Sequence, residues 1–209
     1  MKTSISIKDS SYAVYGLGLS GRSTLNFLKK KNVKKIYSWD DKKNKNNKKK
    51  FNLFKKSLDV VDYIVVSPGI NIQKTKFKLT LSRNNKKIIT DLDLFFMQKI
   101  PVKSIVITGT NGKSTACKLT QHIFKTNGLD VQLGGNIGKP VLDLKIKKET
   151  VVIIEASSFQ LSYTKFIKPT LAVILNITSD HLDWHKTIKN YKNSKLKIFS
   201  KQDNNDIAL

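Results

Sequence analysis

Short apolar runs, broken by glycine- and proline-containing turns and by longer amphipathic stretches, set the rhythm of the chain. In the first half Tyr12–Tyr15, Ile36–Trp39, residues 62–66 and residues 87–90 read as strands. Residues 22–31 carry helical spacing with Leu25 and Leu28 inward, which makes a βαβ unit of the first two strands, and residues 92–97 look helical. Residues 42–50 hold six lysines, three asparagines and no apolar side chain, and read as a solvated loop or the exposed start of a helix. Ser67-Pro68-Gly69 is a turn signal, and Pro101 marks a linker.

The second half repeats this grammar. Ser104–Thr108 reads as a buried strand, followed by Gly109-Thr110-Asn111-Gly112-Lys113-Ser114-Thr115 and a helix to about Asn127 that Gly128 ends. Ala116, Leu119, Ile123 and Phe124 are expected on its inward face. Residues 151–154 and 171–175 are continuous apolar runs, the mark of parallel strands covered on both sides. The expected fold class is therefore α/β in both halves.

Length and composition narrow the picture. A chain of 209 residues makes one large or two small domains, and 39% hydrophobic content supplies a core. The longest apolar run, residues 171–175, is far below the ~20 residues a membrane helix needs. Residues 1–10 contain no secretory apolar stretch, so a cytoplasmic protein is expected. The single cysteine, Cys117, has no intrachain partner and reads as a packing residue, while His122 reads as a surface residue. The net charge of +24 would fit a polyanion-binding protein. Only two of the 39 basic residues, Arg22 and Arg83, are arginine, whereas base and phosphate readers favour the bidentate guanidinium. Nucleic acid is accordingly not the expected partner.

The strongest chemical signal is the loop 109–115. Its glycines let backbone N–H groups converge, the helix adds its positive end, Lys113 adds a mobile cation, and Ser114 or Thr115 offers a hydroxyl to Mg²⁺. Ile107 stands where the generic motif has its first glycine, so this is a shorter variant or, at the least specific, an ordinary strand-to-helix turn. Glu155, one of two glutamates, ends a strand and reads as an Mg²⁺ ligand or a helix-start carboxylate. In Asp180-His181-Leu182-Asp183-Trp184-His185, His181 points at the same phosphates or caps a loop, and His185 is a loop residue or a neighbour of the metal. Gly16, Gly18 and Gly21, with Asp40 ending the next strand, match a dinucleotide fingerprint that many turns also satisfy.

Six segments occur in order: Gly-Leu-Gly-Leu-Ser-Gly (16–21), Ser-Pro-Gly-Ile (67–70), Gly-Thr-Asn-Gly-Lys-Ser-Thr (109–115), Gly-Asn-Ile-Gly-Lys-Pro (135–140), Glu-Ala-Ser-Ser-Phe-Gln-Leu (155–161) and Asp-His-Leu-Asp (180–183). Together they resemble the Mur ligase family in its D-glutamate-adding branch, over almost the whole chain. The resemblance implies a Rossmann-like UDP-sugar-binding domain over residues 1–100 and an incomplete P-loop-type central ATP-binding domain over 101–209. A C-terminal domain is expected to be absent, and the chain is expected to be inactive or nearly so alone.

The resemblance also implies an ATP-dependent acid–D-amino-acid ligase of peptidoglycan precursor synthesis. Its substrates would be UDP-N-acetylmuramoyl-L-alanine and D-glutamate, joined through an acyl phosphate, with two Mg²⁺ ions. Carried over, Gly109, Thr110, Asn111, Gly112, Lys113, Ser114 and Thr115 would hold ATP. Ser114, Glu155, His181 and Lys195 would be metal ligands, Lys195 as a CO₂-derived carbamate, with Lys113, His181 and Lys195 catalytic. Leu19, Ser20, Asp40, Gly69, Asn136, Ser157 and Gln160 would lie at the UDP-sugar. Asp41 and Lys42 depart from the family pattern near the uracil. A monomer is expected, without nucleic acid or membrane. Another Mur or folylpolyglutamate-type ligase and a basic nucleic-acid-binding module are the alternatives.

Overall fold

A computed structural model describes residues 6–209; residues 1–5, part of the stretch searched for a secretory signal, lie outside it. The chain divides into two compact units, residues 1–98 and 99–209.

In the first unit, β1 (Tyr12–Tyr15), β2 (Ile36–Trp39), β3 (Tyr63–Val66) and β4 (Ile88–Ile89) form a wholly parallel sheet in the order β2-β1-β3-β4. Tyr12 stands opposite Ile36 on one side and Tyr63 on the other. Every residue of β1 is buried, as a strand covered on both faces requires. Helix α1 runs Leu19–Lys30, three residues longer at its start than the spacing predicts. The early start is possible because Gly21 lies inside the helix, where a Cβ would come within 1.8 Å of the Gly16 carbonyl oxygen.

Helix α2 (Lys48–Val60) starts in the last three residues of the lysine run, which is thus a loop followed by the exposed start of a helix. The Asn47 side chain accepts from the Lys50 N–H at 2.8 Å and opens it. Phe54 and Leu58 then bury a face that joins Tyr15, Trp39 and Phe77 in an aromatic core. Asp62 is not strand; its carboxylate accepts the N–H and hydroxyl of Ser11. Thr90 and Asp93 form a capping box that opens α4 (Asp91–Met97), after the short helix α3 (Lys78–Arg83).

The second unit carries a five-stranded parallel sheet, order β6-β7-β5-β8-β9, from β5 (Ser104–Thr108), β6 (Val131–Gly135), β7 (Val151–Glu155), β8 (Leu171–Ile174) and β9 (Ile207–Ala208). Helix α5 (Lys113–Thr126) covers one face. Cys117 is its fully buried residue, and Ala116 and Phe124 pack beside it on Ile105, Val131 and Ile153. Leu119 and Ile123, expected inward, are 56% and 46% exposed. The sheet-facing line runs through Ala116, Cys117 and Phe124 because the helix is pinned at Lys113 by its loop. Helices α6 (Ser158–Tyr163), α7 (Leu182–His185) and α8 (Ile188–Leu196) follow strands β7 and β8. Among the described residues no helix is long and apolar enough to cross a membrane.

Candidate active site

The carboxyl ends of β7, β5 and β8 lie side by side, so the segments leaving them are brought together by the sheet alone. The loop 109–112 leaves β5, Glu155 ends β7, and residues 175–178 leave β8. Asn176 clamps the loop. Its Oδ1 accepts from the N–H groups of Thr110 and Asn111 at 3.1 and 3.0 Å, and its Nδ2 donates to the Asn111 carbonyl at 3.2 Å. The amides of Thr110 and Asn111, two of the residues expected to hold phosphate, are thus engaged within the protein. The opening turn of α5, where Lys113, Ser114 and Thr115 carry the amides a helix leaves without intrahelical acceptors, is a place that can receive an anion.

Glu155 is 1% exposed. One carboxylate oxygen accepts from the Ser114 hydroxyl and the other from Asn136 Nδ2, both at 2.7 Å. It forms no salt bridge among the described residues, so a buried negative charge faces only neutral donors. Desolvating a carboxylate on those terms is costly, and an oxygen-seeking cation would complete the site. Asn136 reaches Glu155 because β6 approaches β7 closely at Gly135 (φ +103°), where a Cβ would meet the Glu155 carbonyl oxygen at 2.4 Å.

Two lysines converge on the loop carbonyls. Lys113 Nζ donates to Thr110 O and Lys195 Nζ to Gly109 O, each at 2.7 Å. Lys195 is 1% exposed and lies 4.6 Å over the Tyr191 ring. Burial, reinforced by the Lys113 charge, brings its amine down to about 8. Tyr191 OH in turn meets Thr110 Oγ1 at 3.1 Å.

His181 and Lys186 flank α7 in the left-handed region, at φ +51° and +69°, a strained setting for non-glycine residues. The His181 ring packs on Phe159 at 4.8 Å and is about half exposed, with Nδ1 3.4 Å from Asp180 Oδ1. His185 is buried, and burial, with the His181 and Lys195 charges, pushes its imidazole down to about 4. No group of three or more His, Cys, Asp and Glu side chains among the described residues is arranged to hold a metal, so the direct link within the expected ligand set is that of Ser114 with Glu155.

Residues 107–209 match the Mur ligase middle domain. Relatives named UDP-N-acetylmuramoylalanine–D-glutamate ligase extend the likeness into the first unit. That of Wolbachia pipientis wMel is 37% identical over 92% of this chain and 39% of its own length. That of Rickettsia prowazekii (strain Madrid E) is 39% identical over 97% of this chain and 46% of its own. The chain belongs to the Mur ligase family. It spans less than half the length of these relatives. A solved Mur ligase from Neisseria meningitides, the UDP-N-acetylmuramate:L-alanyl-gamma-D-glutamyl-meso-diaminopimelate ligase, shares the fold at TM-score 0.53 and 15% identity, over 96% of this chain and 70% of its own.

Within this Mur ligase chain several residues expected at the UDP-sugar also have structural employment. Ser157 and Gln160 form a capping box at the start of α6, and Gln160 is 1% exposed. Asp40 accepts the backbone N–H groups of Leu17, Lys42 and Lys43. Burial alone would raise its pKa, but these three donors hold it below the usual carboxylate range. Asp41 takes Tyr15 OH and Trp39 Nε1 at 2.6 and 2.7 Å. Leu19 is exposed, Ser20 and Gly69 are neither deeply buried nor braced by side chains, and Ser67 Oγ donates to Gly16 O. Cys117 is fully buried with its thiol pushed up to about 12, and His122 is exposed. Sequence reasoning missed Asn176 and Tyr191. The signal for Asn176 was its place directly beyond a buried strand, beside the glycine loop; nothing local marks Tyr191.

Proposed function

We propose that this chain supplies the UDP-sugar-binding and nucleotide-binding parts of a cytoplasmic, ATP-dependent amide ligase that joins D-glutamate to UDP-N-acetylmuramoyl-L-alanine. The observation that carries the proposal is the juxtaposition of the loop 109–115 with the buried Ser114–Glu155 pair. A carboxylate is a poor electrophile until one oxygen becomes phosphate. The chemistry therefore needs ATP held at the α5 terminus beside the substrate carboxylate, whose acyl phosphate the D-glutamate amine then attacks. Lys113 would follow the phosphates, and Asn176 would keep the loop in shape.

Ser114 and Glu155 would hold one Mg²⁺, as hard oxygen donors suit it, and His181 with a carbamate on Lys195 would hold a second. Bound there, the ions would offset the crowded phosphate charge. CO₂ adds only to a neutral amine, and the lowered pKa of Lys195 supplies one. Within the first unit Leu19, Ser20, Asp40 and Gly69 would be UDP-sugar contacts, within the second Asn136, Ser157 and Gln160 would be substrate contacts, and a monomer would suffice.

Calorimetric titration tests this directly. UDP-N-acetylmuramoyl-L-alanine should bind where UDP-glucose and NAD do not, and AMP-PNP should bind only with Mg²⁺. Equal affinity for the three UDP and NAD ligands, or AMP-PNP binding indifferent to Mg²⁺, would overturn the proposal.

A further inference from the structure

His185 has no part in the chemistry described above, yet it is the buried meeting point of three helices. It ends α7, and its Nε2 lies 3.0 Å from Ser158 Oγ at the start of α6. Its Nδ1 lies 3.4 Å from Ser194 Oγ on α8. Its carbonyl accepts from Asn190 Nδ2 at 3.0 Å. The ring stacks nearly parallel to Phe159, at 10° and 5.8 Å, and meets Tyr191 edge-on at 5.1 Å. Ser162 and Ser194 add a second hydroxyl link between α6 and α8 at 2.9 Å.

Of the helices that His185 touches, α8 delivers two groups to the loop, while α6 and α7 begin just beyond Glu155 and His181. Helix α6 starts three residues after Glu155. Helix α7 starts directly after His181, whose ring shares Phe159 with His185. Helix α8 carries Tyr191 and Lys195, which reach Thr110 and the Gly109 carbonyl. We propose that His185 is a positioning residue, holding α8 on α6 so that Tyr191 and Lys195 brace the phosphate loop in its nucleotide-binding shape. A histidine suits the place because it alone offers two ring nitrogens, on opposite sides of a flat ring, to two hydroxyls at once. The inference rests on the nucleotide site proposed above.

The test is AMP-PNP and Mg²⁺ titrated calorimetrically into the wild-type protein and into His185→Ala, His185→Gln and Ser194→Ala, with thermal unfolding of each. Two lost hydrogen bonds predict about tenfold weaker binding for His185→Ala and about threefold for Ser194→Ala. His185→Gln, whose amide offers polar atoms to the same hydroxyls, should recover most of the affinity even if its melting temperature stays low. A role in stability alone would leave affinity untouched in every folded variant. Wild-type protein that binds no AMP-PNP overturns the nucleotide site and this proposal together. Normal wild-type binding with His185→Ala unaffected, or with His185→Gln as weak as a folded His185→Ala, overturns the positioning role alone. If His185→Ala does not fold, unchanged affinity in Ser194→Ala does so.

Discussion

Glu155 concentrates the chemistry of the second unit in one side chain. Its two oxygens are held by a hydroxyl and an amide, so it is oriented without being neutralised. Glu155→Gln keeps the shape and removes the charge, and should abolish the Mg²⁺ dependence of AMP-PNP binding, read by titration with and without EDTA. Asn136 would act on the proposed metal only through Glu155, and the loss of such an orienting partner costs roughly 10- to 100-fold in metal affinity. Asn136→Ala should therefore weaken Mg²⁺-dependent AMP-PNP binding by about that factor. Gly135→Ala places a Cβ 2.4 Å from the Glu155 carbonyl oxygen in a backbone conformation that L-residues avoid. It should lower stability by about 1–3 kcal/mol in denaturant unfolding. The carboxylate and Gly135 were legible in the sequence as letters. That Asn136 serves Glu155 was not, because the contact is made across two strands that the sequence does not pair.

At the scale of elements, helix ends explain much of what the sequence hid. Ser157 and Gln160 resemble substrate contacts by family position, but Ser-x-x-Gln before an apolar residue is also a capping box, and the structure forms it. Ser157→Ala should cost about 1 kcal/mol in thermal or denaturant unfolding. The strands β1, β3, β5 and β7 were legible because buried parallel strands announce themselves as apolar runs. Of helix α2 only the exposed start was, since its lysines mask a face built from Phe54 and Leu58. The stripe on α5 was misread for a related reason: Leu119 and Ile123 are apolar, but the helix is rotated by its fixed start and leaves them exposed. The α6–α8 packing also sets a pH dependence. The His185 pKa is about 4 folded against 6.5 unfolded, so between these values the unfolded chain binds more protons. Its contribution to stability is complete above about pH 6.5 and is lost as pH falls through 4. The wild-type melting temperature should drop across that window by more than that of His185→Gln.

For the whole molecule the decisive quantity is charge. With 39 basic and 15 acidic residues, most cations have no carboxylate to pair with however the surface is arranged. Exposed like charges repel over distances comparable to the Debye length, about 10 Å at 0.1 M salt, so self-repulsion opposes the folded state at low ionic strength. The melting temperature should rise as NaCl goes from about 20 to 300 mM, whereas a protein held mainly by surface ion pairs would show the reverse. The same excess makes weak binding to generic DNA unavoidable at low salt, and counterion release makes that binding fall steeply as salt increases. The proposed nucleotide site is built differently, from a buried carboxylate, a buried lysine and backbone amides, which salt screens far less. Titrations of AMP-PNP with Mg²⁺ and of random-sequence DNA across that salt range should therefore diverge: the nucleotide affinity changes by a few-fold, while the DNA affinity collapses by orders of magnitude. Parallel loss of both would mean that AMP-PNP is held by the lysine-rich surface and not by the loop at the head of α5.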